Sequence, residues 1–295
     1  MKGTDYGKSD YTPIKQRHLR RIVRARMSKV AYLIAKGSVP EGYLYFDLHA
    51  GPGIDDVGDW GSPKIILEEA RAHDVIVEAH LFEQNAQTAL RLRRVVQPYD
   101  RYGDYSLVQA VDGGDWCAAC PGYSRCDSGS CESAFTTVEV HAARCEDDLL
   151  RRLNFLSDER DLDRAYGLMY VDPTGGMPWK TVHDAIASLP HVDLLINMGG
   201  SIDGRVRTST GREMRVTDYL DLCRKRRWYV RRPIGKHLWT MVLGTNDTGI
   251  VKIPRYVGME EMTGPKGQWY MAKIGYSNNE RRQADFEFSG QLPLF

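Results

Sequence analysis

The sequence predicts a doubly wound α/β fold built on a parallel sheet, and three observations carry that prediction. Apolar runs of strand length alternate with helical patterns from residue 43 to residue 198. Four of these runs stop at an acid: Asp47, Glu83, Asp112 and Asp172. The first of them leads at once into a glycine turn, Gly51-Pro52-Gly53. Strands alternating with helices imply crossover connections and a sheet covered on both faces. In such sheets ligands bind outside the carboxyl ends of the strands, where the strand order reverses.

Taken in order, residues 1–13 read as a loosely attached arm and residues 14–36 as an amphipathic helix. Ile14, Leu19, Ile22, Val23, Met27, Val30, Leu33 and Ile34 recur at helical spacing, with Arg20, Arg21, Arg24 and Arg26 on the remaining face. Strand one covers 43–48 and a helix follows at about 63–72. Strand two spans 75–83, a helix 84–96, and strand three 105–112. A cysteine-rich segment then interrupts the pattern. A helix at about 144–155 precedes strand four at 167–172, the next helix runs 178–189, and strand five 192–198. Residues 238–244 and 249–254 predict a closing hairpin turned by Thr245-Asn246-Asp247-Thr248. The organisation expected is a basic arm and helix (1–37), a Rossmann-like domain (38–255) with a cysteine-rich insert at 113–133, and a C-terminal extension (256–295).

A chain of 295 residues, 42% of them hydrophobic, can bury the core of one large domain. Its formal charge of +1 gives no overall steering, but the charge is unevenly spread. Lys15 to Lys36 holds eight Lys or Arg and no acid, and Arg224 to Arg232 is a second basic run enclosing Trp228 and Tyr229. No apolar run approaches the ~20 residues that span a bilayer. The start of the chain lacks the apolar region of a signal peptide, so a cytoplasmic protein is expected.

Gly51 and Gly53 permit positive φ and let a ligand approach the backbone. A dinucleotide would place its pyrophosphate on a helix N-terminus, yet the turn leads into Asp55, Asp56 and Asp59, which would repel it. The Walker phosphate-binding pattern is absent. A cationic sulfonium with an amino-acid tail suits that field, so S-adenosylmethionine is the cofactor expected. Asp47 with the Gly51–Gly53 turn would hold its methionine end, Glu83 its ribose hydroxyls and Asp112 its adenine amine. After strand four stands Asp172-Pro173-Thr174-Gly175. In enzymes that methylate amines of bases, an acid or amide followed by proline accepts hydrogen bonds from the target amine, and an aromatic stacks on the base. Thr174 and Gly175 cannot stack, which leaves Trp179 as the substitute.

The blocks Tyr43-Leu44-Tyr45-Phe46-Asp47-Leu48-His49-Ala50-Gly51-Pro52-Gly53, Gly61-Ser62-Pro63 and Met169-Tyr170-Val171-Asp172-Pro173-Thr174-Gly175, in that order, resemble the three-Cys-motif partner (TcmP) family over roughly residues 43–255. These methyltransferase-like proteins are encoded beside a radical-SAM-like three-cysteine protein in bacteria and phages. The resemblance implies that Asp47, Gly51, Gly53, Ser62 and Asp172 occupy the motif positions, with His49 where phenylalanine is more usual. It bears on the fold more than on a reaction.

Cys117-x2-Cys120-x5-Cys126-x4-Cys131 offers four thiolates in a short loop poor in apolar residues. A structural zinc ion is the first expectation, since Cys-x-x-Cys is the usual half-site. The looser second pair leaves an iron–sulfur cluster or metal-free thiols as alternatives. Arg20, Arg21 and Arg24, together with Arg226, Arg227 and Trp228, have the charge density and the aromatic content of nucleic-acid contacts. The tail Gln291-Leu292-Pro293-Leu294-Phe295 resembles the pentapeptide by which bacterial DNA-processing enzymes dock on the replication sliding clamp, with Gln291, Leu292, Leu294 and Phe295 as its anchors. The sequence therefore points to a methyltransferase-like protein acting on DNA in modification or repair. A non-catalytic DNA-binding adaptor that recruits a partner enzyme to the clamp is the alternative.

Overall fold

The computed structural model describes residues 12–39, 42–55, 58–100, 136–173, 176–199, 216–235, 238–247 and 255–275. The helices are α1 (Thr12–Ala35), α2 (Ser62–Ala72), α3 (Ala86–Val96), α4 (Cys145–Glu159), α5 (Trp179–Ala187), α6 (Val216–Leu222) and α7 (Pro265–Gly275). The strands are β1 (Gly42–Asp47), β2 (Ile76–Phe82), β3 (Thr137–His141), β4 (Tyr166–Val171), β5 (Val192–Met198), β6 (Arg227–Arg231), β7 (Thr240–Thr245) and β8 (Met259–Glu261).

They form one sheet in the order β3-β2-β1-β4-β5-β7-β6-β8. β1 to β5 run parallel, and β7 joins β5 antiparallel. β6 pairs antiparallel with both β7 and β8. All residues of β4 and β5 are buried, as expected of parallel strands covered on both faces. Alternation along β1 sends Leu44 and Phe46 into a core with α4, α5, α6 and α7. Tyr43 and Tyr45 go into a second core with α1, α2 and α3. The chain order reverses between β1 and β4, which opens a crevice at their carboxyl ends.

Two sequence expectations need correction here, and a third falls outside the described residues. The strand beside β2 is Thr137–His141; residues 105–112, expected as strand three, lie outside the described residues. Both edges of β7 are taken by β5 and β6, so the hairpin partner of 238–244 is Arg227–Arg231, a segment expected as a basic surface run. Residues 249–254 are outside the described residues. Arg26, assigned to the outer face of the first helix, is 1% exposed. It forms a 2.6 Å ion pair with Asp193 of β5, and its guanidinium lies 5.1 Å over the Tyr166 ring. That pair fastens α1 under the sheet, and β8 and α7 continue the sheet and its cover past residue 255.

Candidate functional site

At the end of β1, Asp47 is fully buried. Tyr45, two residues earlier, donates its hydroxyl to Asp47 Oδ2 at 2.8 Å, and the His49 amide donates to Oδ1 at 3.2 Å. Burial raises the pKa of Asp47 to about 6, against hydrogen bonds from Ser62, Tyr45 and the His49 amide; the charge on Asp172 adds to the rise. The next strand repeats the device: Tyr170 donates to Asp172 Oδ2 at 3.2 Å. Burial keeps both phenols far above their ordinary pKa, so each remains a donor. Asp47 therefore braces the turn from beneath. The direct contact with a methionine end expected of it is not available to a carboxylate sealed from solvent.

The turn itself is built for close approach. Gly51 has φ +61° and a Cβ there would meet nothing within 4 Å, whereas Gly53, φ +75°, would drive one to 2.8 Å from Leu92 Cδ1. Gly51 thus presents bare backbone to open space, and Gly53 lets the turn pack on α3. The Gly51 amide donates to Glu83 Oε2 at 3.1 Å, and the Asn85 amide to Oε1 at 2.7 Å. Each carboxylate oxygen keeps a further lone pair for a ligand hydroxyl. The Gly61 amide closes the loop on the Gly53 carbonyl at 2.7 Å and so brings Ser62 beside Asp47. His49 lies between the fields of Asp172 and Glu146, and burial lowers its pKa. Its Nδ1 is buried with no hydrogen-bond partner.

Asp172 stands at the mouth of the crevice. Asn197, on β5, donates its amide to Asp172 Oδ1, and the Trp239 indole donates to Asn197 Oδ1. Lys15 of α1 reaches the same Asp172 oxygen at 3.3 Å and lies 6.0 Å over the Trp239 ring. His18 stacks on Trp239 with ring centroids 6.2 Å apart. Burial, together with Arg231, Arg21 and Arg17, lowers the His18 pKa to about 4, so this imidazole is neutral at pH 7. Burial and Arg21 hold Arg231 down to about 10. Lys15 thus brings a cation of α1 to the acid, while Arg231, at the end of β6, acts on His18 and Arg21 of the same helix. Neither Asn197 nor Trp239 was singled out from the sequence, although Asn197, near the end of an apolar strand, had the same signature as the strand-end acids.

Several expected site residues fall elsewhere. Trp179 is 3% exposed and stacks on Tyr219 inside the core, so it cannot stack on a base. Arg20 and Arg24 are both committed to the buried Glu69, at 2.7 and 3.0 Å. Arg21 faces Arg231. β6 carries the second basic run across the sheet, leaving Arg226 and Arg227 at the edge opposite to Asp172. Trp228 packs over Gly244, where a Cβ would lie 2.6 Å from its ring. Pro173 follows Asp172, half-buried. Asp112, Cys117, Cys120, Cys126 and Cys131, and the tail 291–295 lie outside the described residues. A cavity of about 820 Å³, lined in part by Leu33, Tyr166, His191 and Asp247, is at the amino ends of the strands, away from this site.

The sheet order and the crevice at its switch point define a doubly wound, Rossmann-like α/β scaffold. No family model and no curated protein matches the chain. Similar solved structures include a Legionella pneumophila protein of the DUF519 family, 13% identical over 81% of this chain and 88% of that one, with a TM-score of 0.46. A TehB-like SAM-dependent methyltransferase from Corynebacterium glutamicum is 10% identical over 76% and 88%, with a TM-score of 0.36. TrmK of M. capricolum in complex with S-adenosylhomocysteine is 7% identical over 90% and 93%, with a TM-score of 0.31. These likenesses are loose, and the class rests on the chain's own strand order. No helix among the described residues is long and apolar enough to cross a membrane.

Proposed function

We propose that the chain binds S-adenosylmethionine in the crevice between β1 and β4 and methylates an amine of DNA, alongside a three-Cys-motif protein. The observation that carries the reading is the placement of two coupled carboxylates, Asp47 and Asp172, on adjacent strand ends beside a bare glycine turn. Their field favours a cationic ligand and opposes a pyrophosphate. The residues fit the cofactor: Gly51 leaves room against its backbone, and Glu83 has acceptor capacity for a ribose. When bound, the cofactor supplies an electrophilic methyl group. The chain's own part is positioning. Asp172, held by Tyr170 and Asn197, would accept a hydrogen bond from the acceptor amine, in the place now taken by the Lys15 ammonium. Lys15, Arg17, Arg21 and Arg231 would meet the phosphates flanking that amine.

Titration calorimetry of the full chain with S-adenosylhomocysteine tests the reading, with micromolar binding expected. No binding in that range would sink it. The adaptor reading would then gain, and the Lys15–Asp172 contact already favours it by filling the acceptor position. Mass spectrometry of nucleosides from cells with and without the protein and its genomic neighbour would identify the base. Two further parts of the proposal have separate tests. Zinc on Cys117, Cys120, Cys126 and Cys131 predicts thiolate-bound metal in purified protein, and deletion of residues 291–295 should abolish co-purification with the sliding clamp.

A further inference from the structure

We infer that His80, Glu139 and His141 form a binding site for a zinc-class divalent metal ion at the β2–β3 edge of the sheet, distinct from the cysteine segment. Register places His80 opposite Glu139, and His141 two residues further along β3 on the same face. His80 Nδ1 and His141 Nε2 are 3.4 Å apart, and Glu139 Oε2 lies 3.8 and 3.7 Å from them. A tetrahedral ion with bonds of about 2.0–2.1 Å holds its ligand atoms about 3.3–3.4 Å from one another. The two nitrogens already stand at that separation, and the carboxylate needs to move by a few tenths of an ångström.

The outer nitrogens decide what the inner ones can do. His80 Nε2 meets Glu78 Oε1 at 3.0 Å, and His141 Nδ1 meets Asp148 Oδ2 at 3.0 Å. Carboxylates accept only, so each neutral ring carries its hydrogen on the outer nitrogen. With the rings so arranged, two nitrogen lone pairs and a carboxylate oxygen face one another across one point. A cation resolves the conflict. A carboxylate behind each ligating histidine is the arrangement by which proteins fix the ring tautomer for a metal.

The surroundings hold these groups in place. Phe46 stacks on His80 at 5.2 Å and Phe82 on His141 at 4.5 Å. The carboxylates Glu139, Glu78 and Asp148 are held in turn by Arg152, Arg160 and Arg151, from α4 and the residue after it. Glu139 is half exposed, which leaves this point open to solvent for an ion and its fourth ligand, a water. The Glu83 amide donates to the His141 carbonyl at 3.0 Å, so the ion would clasp β3 to β2 two steps from the glycine turn.

Cobalt(II) titration of the full chain tests this without confusion with the cysteine segment, because thiolate ligands give a near-ultraviolet charge-transfer band that nitrogen and oxygen ligands do not. A variant with Cys117, Cys120, Cys126 and Cys131 all changed to serine should bind one equivalent of cobalt with visible tetrahedral absorption alone. Glu139→Gln or His141→Ala added to that variant should abolish the absorption with circular dichroism unchanged, and Asp148→Asn should weaken binding about 10–100-fold. Glu139 is half exposed, so its replacement keeps the test open if the histidine variant fails to fold. Absence of cobalt binding in the four-serine variant, or binding that survives Glu139→Gln and His141→Ala, would overturn the site.

Discussion

Arg26 of the first helix and Asp193 of the fifth strand meet at 2.6 Å with side chains 1% and 2% exposed. Burial raises the Asp193 pKa and the guanidinium opposes the rise, while Thr245 adds a hydrogen bond. Such a pair contributes little net stability over apolar residues of the same volume, but breaking it strands a buried charge.

Arg26→Met should therefore cost about 3–5 kcal/mol, and Arg26→Met with Asp193→Leu should recover most of that loss. Urea denaturation of both variants measures the difference. A double variant as unstable as the single one would show that the pair is worth more than its parts.

Asp47 gives a pH signature. Its carboxyl has a pKa of about 6 in the fold against an ordinary 3.8, so the fold takes up this proton at higher pH than the unfolded chain does. Its contribution favours the fold below about pH 4 and turns against it as the pH rises to about 6. Asp47→Asn should then gain on the wild type by up to about 3 kcal/mol between pH 4 and pH 7. Denaturation midpoints at the two pH values read this directly, and an unchanged difference would count against the burial argument.

The two turn glycines should fail differently. Alanine at either position costs about 1–2 kcal/mol for its left-handed backbone. Gly53→Ala adds an overlap with Leu92 worth a further 1–3 kcal/mol or so. Gly51→Ala meets no protein atom, so its larger effect should be a drop of tenfold or more in S-adenosylhomocysteine affinity by calorimetry.

Trp239→Phe should separate chemistry from cofactor binding. It removes the donor that orients Asn197, which in turn holds Asp172. We expect a stability loss of about 1 kcal/mol, unchanged S-adenosylhomocysteine affinity and at least a tenfold loss of methylated nucleoside. Loss of cofactor affinity instead would place Trp239 in the cofactor site.

The central strands were legible because a strand buried on both faces must be largely apolar, as 43–48, 167–172 and 192–198 are apart from Asp47, Asp172, Asp193 and Asn197. The glycine turn was legible for the same local reason. β3 was missed because Thr137-Val138-Glu139-Val140-His141 puts charge and imidazole on an inner face, and its pattern reads as polar. β6 was hidden because arginines begin and end a strand that crosses the sheet. Arg26 was misplaced because the partner that lets it be buried lies far along the chain, and no periodicity within α1 reports it. Trp179 illustrates the reverse: closeness in sequence to Asp172 suggests closeness in space, yet its ring lies in the core on Tyr219, while Trp239 reaches Asp172 through Asn197.

The docking of α1 sets a schedule for synthesis. Arg26 also reaches the Gly167 carbonyl, 141 residues downstream, at 3.4 Å. At ribosomal speeds of about 5–20 residues per second, the first helix emerges on the order of ten seconds before the strands that will neutralise it. During that interval its apolar stripe and its arginines are bare, beside ribosomal RNA and chaperones. Premature release after β2, or a stall before β5, should leave a nascent chain with a sticky cationic helix and nowhere to put it.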